Sequence, residues 1–429
     1  MTAPEAKALG ERAEAMLRAL ASISADPDKL TRLYLTEEHR RAARLVAEWM
    51  RAAGLKVRMD AAGTVHGLLP AGREGPLSTK RLLVGSHIDS VVDAGRYDGT
   101  LGVVSGILAV EELRRRGIAL PFALEVLAFG DEEGVRFPKT LIGSSTVAGA
   151  LRDPMLDLTD ADGVTIRAAL AAFGGDPDAL EAEAYKREDV LGYLEVHIEQ
   201  GPVLERLGHP LGVVTAIAAQ GRYRLTVKGE AGHAGTVPMP IRRDALAAAA
   251  EMILAIEAVY MIMNIGRSGD DVSKASMVAT VGEIKALPGA SNVIPGEVRF
   301  SLDLRAGADL VREQASAEIR KRIHEIADRR GVSVVMEAVH EKPVAACAPE
   351  MIEWIAGAIK NVTSHPVHHL MSGAGHDGQA MIHLAPIGMI FVRCRGGVSH
   401  NPAEYAAPDD IGLGILALVE TILGIAGKA

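Results

Sequence analysis

Histidines and carboxylates recur in this sequence directly behind short apolar runs. Leu82-Leu83-Val84 leads into Gly85-Ser86-His87-Ile88-Asp89, with Asp98 following shortly after. Leu124–Phe129 leads into Gly130-Asp131-Glu132-Glu133, and Tyr193–Val196 into His197-Ile198-Glu199-Gln200. Met389–Val392 leads, through Gly396-Gly397, to Ser399-His400-Asn401. A lone strand-end histidine or acidic loop is usually structural or solvated. Four such ends in one chain point instead to a shared centre, because open α/β sheets bind ligands beyond the carboxyl ends of their strands. Imidazoles and carboxylates without thiolates suit zinc, manganese, cobalt or nickel. His87, Asp98, Glu133, His197 and His400 make five donors, more than one catalytic ion takes. Two divalent ions sharing a bridging carboxylate account for all five. Adjacent acids do not easily bind one centre together, so one of Glu132 and Glu133 is left to act as a base.

The elements that must position these groups follow from the patterning. Residues 1–60 read as helical, with Ala42, Leu45, Val46, Trp49 and Met50 at three- and four-residue spacing. Apolar runs then alternate with helical stretches, as in an α/β domain whose sheet is covered on both faces. Between about 213 and 344 the style changes. Arg222–Lys228 and Glu297–Arg305 alternate polar and apolar at every step, the mark of a sheet with one buried and one exposed face. Helical segments at about 241–262 and 309–330 complete a β-α-β-β-α-β order, which is ferredoxin-like. The expected architecture is a mixed-sheet α/β catalytic domain, 1–212 plus 345–429, with an inserted α+β domain, 213–344.

Composition removes other classes of function. The chain has 429 residues at 48% hydrophobic and 24% charged, so it can bury a large core and is not a disordered polymer. Its net charge of −9 argues against a nucleic-acid partner bound through a broad basic surface. Cys347 and Cys394 form no CxxC, which excludes a disulfide framework and a thiolate zinc knuckle. The N-terminal stretch lacks the apolar run of a signal peptide, and no 18 uninterrupted apolar residues occur. The expectation is a cytoplasmic enzyme with no membrane span. Gly99, Gly102 and Gly106 do not spell a nucleotide-binding GxGxxG and are read as close helix–strand packing. His365, His368 and His369 are read as surface or packing residues, and Cys394 as a small buried apolar one.

GSHIDSVVDAGRYDGTLGV, GDEEGVRF, LEVHIEQGPVLE, GHAGTVPM, SNVIPG, SGAGHDG and GGVSHNPAE together resemble the hydantoinase/carbamoylase amidase branch of the aminoacylase and carboxypeptidase-G type metallohydrolases. This branch includes N-carbamoyl-L-amino acid hydrolases, β-ureidopropionases, allantoate amidohydrolases and ureidoglycolate amidohydrolases. The resemblance implies His87, Asp98 and His197 around one ion, with Asp98 bridging to a second ion completed by Glu133 and His400. It makes Glu132 the general base and Asp89 the carboxylate that orients His87. A histidine at 197, where peptidase relatives carry an acid, favours the carbamoylase branch.

The resemblance also gives roles to residues that by themselves read as ordinary. His233, in a Gly-His-Ala-Gly loop, becomes an oxyanion donor, often to the partner subunit's site. Asn292, otherwise a turn residue, becomes a substrate hydrogen-bond donor. Arg305 stands on the polar face of its strand and carries the best fork for a carboxylate; the family uses the matching arginine for the substrate carboxylate. Gln200 and His376 are assigned to substrate binding. A homodimer through the inserted lid domain is implied, with closure between the domains needed for turnover.

The expected reaction is hydrolysis of the ureido C–N bond of an N-carbamoyl-L-amino acid to amino acid, ammonia and carbon dioxide. An activated water attacks the carbamoyl carbon, Glu132 moves the proton and His233 steadies the oxyanion. Allantoate, with β-ureidopropionase or ureidoglycolate substrates beside it, is the alternative. An aminoacylase or dipeptidase ranks lower, and a non-catalytic binding protein last.

Overall fold

The computed structural model describes residues 3–151, 155–263 and 277–428. They fall into two compact units, one drawn from Met1–Thr215, Ala346–Leu370 and Ala374–Ala429, the other from Ala216–Ala345 and Met371–Gly373.

The first unit is built on a nine-stranded mixed sheet. Its middle is four neighbouring parallel strands in the order Ala123–Phe129, Arg81–His87, Val190–Ile198 and Ile387–Val392. Lys56–Met59 and Val65–Leu69 extend it antiparallel on one side and Leu211–Ile217 on the other. The central strands are near-continuous apolar runs because elements cover them on both faces. Being parallel, they place all four carboxyl ends on one edge of the sheet.

Helix Thr100–Arg115 is buried on every side from Thr100 to Val110 and packs with Ala3–Ala21 and Pro408–Lys428. Fully removing each of Leu101, Val103, Val104, Ile107 and Leu108 from water contributes roughly 1.5–3 kcal/mol. Gly102 allows this helix its close approach: a Cβ there would lie 2.6 Å from the Val196 carbonyl oxygen and from the Ser86 Cβ. Gly99 has φ +65°, and its Cβ would strike the His87 ring at 2.4 Å.

The N-terminal 60 residues are not continuously helical. Helices Ala3–Ala21 and Glu37–Ala52 are separated by turns in which the Ser24 hydroxyl and the Asp26 carboxylate accept nearby backbone N–H groups. Lys56–Met59 is already an edge strand.

In the second unit, Ala219–Lys228 and Glu297–Ala306 pair antiparallel over ten residues, and Ser333–Lys342 pairs with the other edge of Ala219–Lys228. Tyr223, Leu225, Val227, Val298, Phe300, Leu302 and Leu304 point to the buried face, as their alternation requires. Helices Ala245–Met263 and Asp309–Arg330 complete the ferredoxin-like order. The remaining strand position is divided between Met277–Thr280 and Ile284–Leu287, which pair with successive stretches of Glu297–Ala306.

Ala245–Met263 and Pro408–Gly427 are long and apolar enough, by length and composition, to cross a membrane. The interrupted apolar runs concealed this in the sequence. Both are packing elements of the layers. The first buries Ala245, Ala248, Ala249, Met252, Ile256 and Val259, and its Glu251 pairs with Arg329 and Arg330; the second lies against other helices of the first unit.

Candidate dinuclear metal centre

The common edge of the four parallel strands gathers His87, Asp98, Glu132, Glu133, His197 and His400. His87, Asp98 and His197 form one cluster of potential ligands, and Asp98, Glu133 and His400 a second. Asp98 belongs to both, and its two oxygens divide between them. Oδ1 lies 3.1 Å from His197 Nε2 and 3.6 Å from His87 Nε2. Oδ2 lies 3.2 Å from His400 Nε2, which is itself 3.5 Å from Glu133 Oε2. That is how a carboxylate bridges two ions.

The imidazoles are turned for the task by their other nitrogens. His87 Nδ1 lies 3.1 Å from the Asp89 carbonyl oxygen and His197 Nδ1 2.9 Å from that of Ile198. Donation there leaves both Nε2 lone pairs facing Asp98. The Asp89 carboxylate is farther from His87, at 3.6 Å. It accepts instead the backbone N–H groups of Glu132 and Glu133, each at 3.3 Å. Asp89 thus orients His87 mainly through its own peptide carbonyl, while its side chain fixes the acidic loop.

Electrostatics call for cations. Burial opposes a charged Asp98, but the imidazoles of His197, His400 and His87 gathered around it hold its carboxyl well below the usual range. Glu133 is pushed up to about 8 by burial and by the charges of Asp98 and Glu132. Glu132 is raised by burial, with Asp89 and Asp98 adding to the effect against His87. Asp89, Asp98, Glu132 and Glu133 crowd this edge, and Glu133 Oε1 is buried without a hydrogen-bond partner. Two divalent ions fit this donor set and supply the missing positive charge. Imidazole and carboxylate donors do not select among zinc, manganese, cobalt and nickel.

Three residues at this edge, Asp131, Gln200 and His400, are non-glycines in the left-handed region, with φ between 52° and 69°. Such conformations cost on the order of 1–3 kcal/mol each and collect where a loop must aim a side chain. Gln200 donates its amide to Asp98 Oδ2 at 2.8 Å and to Ser399 Oγ at 3.0 Å. Its Oε1 is buried without a hydrogen-bond partner. His376 is buried beneath the edge, edge-on to His197 at 4.4 Å, and burial keeps its imidazole well below the usual range and neutral. With Glu195 and His197 it makes a further buried cluster.

His233, Asn292 and Arg305 stand in the second unit. Strand Gly232–His233 pairs with Val293–Ile294, and the Ala234 N–H donates to the Asn292 carbonyl, so His233 and Asn292 are neighbours, both exposed. Arg305 donates to both carboxylate oxygens of Asp303, at 2.8 and 3.1 Å, and to the Gly373 carbonyl at 2.6 Å.

Residues 83–424 match the model of the peptidase family M20/M25/M40. The chain belongs to that family. Within it the chain falls in the hydantoinase/carbamoylase branch, among metal-dependent hydrolases of C–N bonds other than peptide bonds. It is 42% identical over 431 residues to the allantoate deiminase of Arabidopsis thaliana, covering 96% of this chain and 82% of that one. It is 41% identical over 420 residues to the N-carbamoyl-L-amino acid amidohydrolase of Geobacillus stearothermophilus, covering 97% and 98%. A solved hydantoinase/carbamoylase family amidase from Burkholderia multivorans superposes with a TM-score of 0.86 at 32% identity, covering 97% of this chain and 98% of its own.

Residues to which the sequence assigned no role stand behind the M20 site. Glu404 and Ser399 sit inside the GGVSHNPAE motif, which was the signal available for them. Arg32 had none: its guanidinium is buried and donates to the carbonyls of Ile88, Leu20 and Ile23, bracing the loop beyond His87.

Proposed function

We propose that the chain hydrolyses the ureido C–N bond of allantoate, releasing the carbamoyl group as ammonia and carbon dioxide and leaving an amine. The observation that carries the reaction class is the pair of ligand clusters meeting at Asp98, with Glu132 Oε2 3.9 Å from His87 Nε2. Likeness to plant allantoate deiminases ranks allantoate first. The Geobacillus enzyme, matched over nearly its whole length, keeps N-carbamoyl-L-amino acids as the second reading.

His87, Asp98 and His197 would hold one ion, and Asp98, Glu133 and His400 the other. When bound, the ions supply Lewis acidity and lower the pKa of water. Glu132 takes the proton of the attacking water and returns it to the departing amine. Burial raises its pKa, with the Asp89 and Asp98 carboxylates adding to the effect. His233 donates to the developing oxyanion, Asn292 and Gln200 orient the ureide, and Arg305 takes the substrate carboxylate, with His376 lining the floor.

The enzyme works as a homodimer joined through the inserted unit, whose helix Ala245–Met263 leaves Leu254 and Met261 exposed. A cytoplasmic setting suits its two buried unpaired cysteines.

The test is ammonia release by metal-reconstituted protein. Allantoate, N-carbamoyl-L-amino acids and N-carbamoyl-β-alanine are offered beside an N-acetyl amino acid and a dipeptide. Turnover of allantoate, abolished by chelator and restored by Mn²⁺ or Zn²⁺, is expected. Turnover confined to the acetyl or peptide substrates overturns the reading.

A further inference from the structure

Glu404 is almost fully buried, 2% exposed, beside the two loops that deliver Asp98 and His400. Its Oε1 accepts the backbone N–H groups of Tyr97, at 2.8 Å, and Asp98, at 3.2 Å. Its Oε2 lies 2.9 Å from Ser399 Oγ, next to His400. Gly95 is what admits it: a Cβ at that position would fall 2.2 Å from the Glu404 carboxyl carbon. One carboxylate therefore ties the Asp98 loop to the His400 loop.

Ser399 makes this more than an anchor. Its hydroxyl lies 2.9 Å from Glu404 Oε2 and also 2.9 Å from Asp98 Oδ2, while it accepts from the Gln200 amide. A hydroxyl has one proton, so it donates to one of these two carboxylates and not to both. Asp98 Oδ2 is the oxygen that faces His400 and Glu133. Every donor aimed at it competes with an ion for its lone pairs. Gln200 already supplies one.

We propose that Glu404 is a positioning residue for the bridging carboxylate. It draws the Ser399 proton away from Asp98 Oδ2 and so keeps that oxygen free for the ion on the His400 side. Asp98 Oδ1, facing His87 and His197, is outside its influence. The inference rests on the two-ion reading of the site. It makes an asymmetric claim: loss of the Glu404 charge weakens one ion position and spares the other.

Glu404→Gln isolates the effect, because the amide oxygen still accepts from Tyr97 and Asp98 while the new NH2 group donates to Ser399. The hydroxyl proton is then turned onto Asp98 Oδ2. Apo protein titrated with Co²⁺ against a chromophoric chelator, following the visible d–d bands, reads both binding steps without any substrate. In E404Q the expected result is one step weakened about 10- to 100-fold, the usual cost of disturbing a group behind a ligand, and the other unchanged. The double variant S399A/E404Q no longer has the misdirected proton and should recover most of the lost affinity. A purely structural role for Glu404 gives no such rescue. Both steps unchanged in E404Q, both weakened equally, or no recovery in the double variant each overturn the proposal while leaving the site intact. Wild-type protein binding fewer than two ions overturns the two-ion reading, and the proposal with it.

Discussion

The buried ion ligands of the first unit and the substrate contacts assigned to the second are held in opposite ways. At the sheet edge of the first unit, His87, Asp98 and His197 are buried, each fixed by at least one further hydrogen bond. In the second unit, His233 ends an exposed two-residue strand and Asn292 stands in the exposed turn before the strand it pairs with, and Arg305 is partly exposed with its guanidinium turned to Asp303. Groups that must hold ions at fixed spacing are preorganised by a rigid sheet. Groups that must meet a changing ligand stand where small motions are cheap.

The contrast is tested first by removing its centre. Asp98→Asn should abolish binding of both ions, seen as less than one ion per chain by elemental analysis, and take turnover below detection. Retention of one tightly held ion would break the claim that the carboxylate serves both. Glu132→Gln should keep two ions and lower kcat by roughly 10²–10⁴-fold, the worth of a general acid–base group; metal loss in this variant would make Glu132 a ligand. Arg305→Ala should act on KM, raising it about 10- to 100-fold, as loss of a charged hydrogen bond to a carboxylate does, with ion content unchanged. An equal fall in kcat at unaltered KM would place Arg305 outside substrate recognition.

The smallest effect concerns a charge network that no ion touches. His66 lies between Asp60 and Glu125, at 3.0 and 2.9 Å, with Tyr185 and Arg81 completing the shell of Glu125. Burial opposes a charged Glu125, but His66, Tyr185 and Arg81 hold its carboxyl at about 2. Its folded pKa lies below the unfolded value, so the stabilisation is full above pH ~4.5 and lost as pH falls toward 2. Glu125→Gln should cost on the order of 3 kcal/mol at pH 7 by chemical denaturation, with the gap to wild type closing through that window. A gap unchanged by pH would show that packing, not charge, holds the pair.

The sequence disclosed those parts of the molecule that obey a period or a chemical necessity. Strict alternation in Arg222–Lys228 and Glu297–Arg305 could only be a half-buried sheet, and it is one. Imidazoles and acids behind apolar runs had to share an edge once the strands were parallel. What stayed hidden depends on angles between elements distant in sequence. The turn in residues 22–36 is the exception: Ser24, Asp26 and Pro27 signal it in the sequence, the helical reading of 1–60 passes over them, and Ser24 and Asp26 accept from the backbone there. The Asp89 carboxylate looked like a partner for His87, yet a two-residue offset lets the nearer peptide carbonyl take the imidazole. Glu404 was in plain view within a motif, but its acceptance of the Tyr97 and Asp98 amides spans some three hundred residues of chain. No local pattern encodes that.

Strand Ile387–Val392 lies between Val190–Ile198 and Leu211–Ile217 in the sheet, although it is the last of the three to be synthesised. The inserted unit precedes this strand in the chain, and domains generally fold as units in the order of their synthesis. The second unit therefore completes its core early, while the large sheet waits with a gap beside Val190–Ile198. The partner for Asp98 Oδ2, His400, arrives only once that gap is filled. A chain truncated before residue 387 would lack both the closing strand and His400, and affinity for the ion on the His400 side should appear only when both are present.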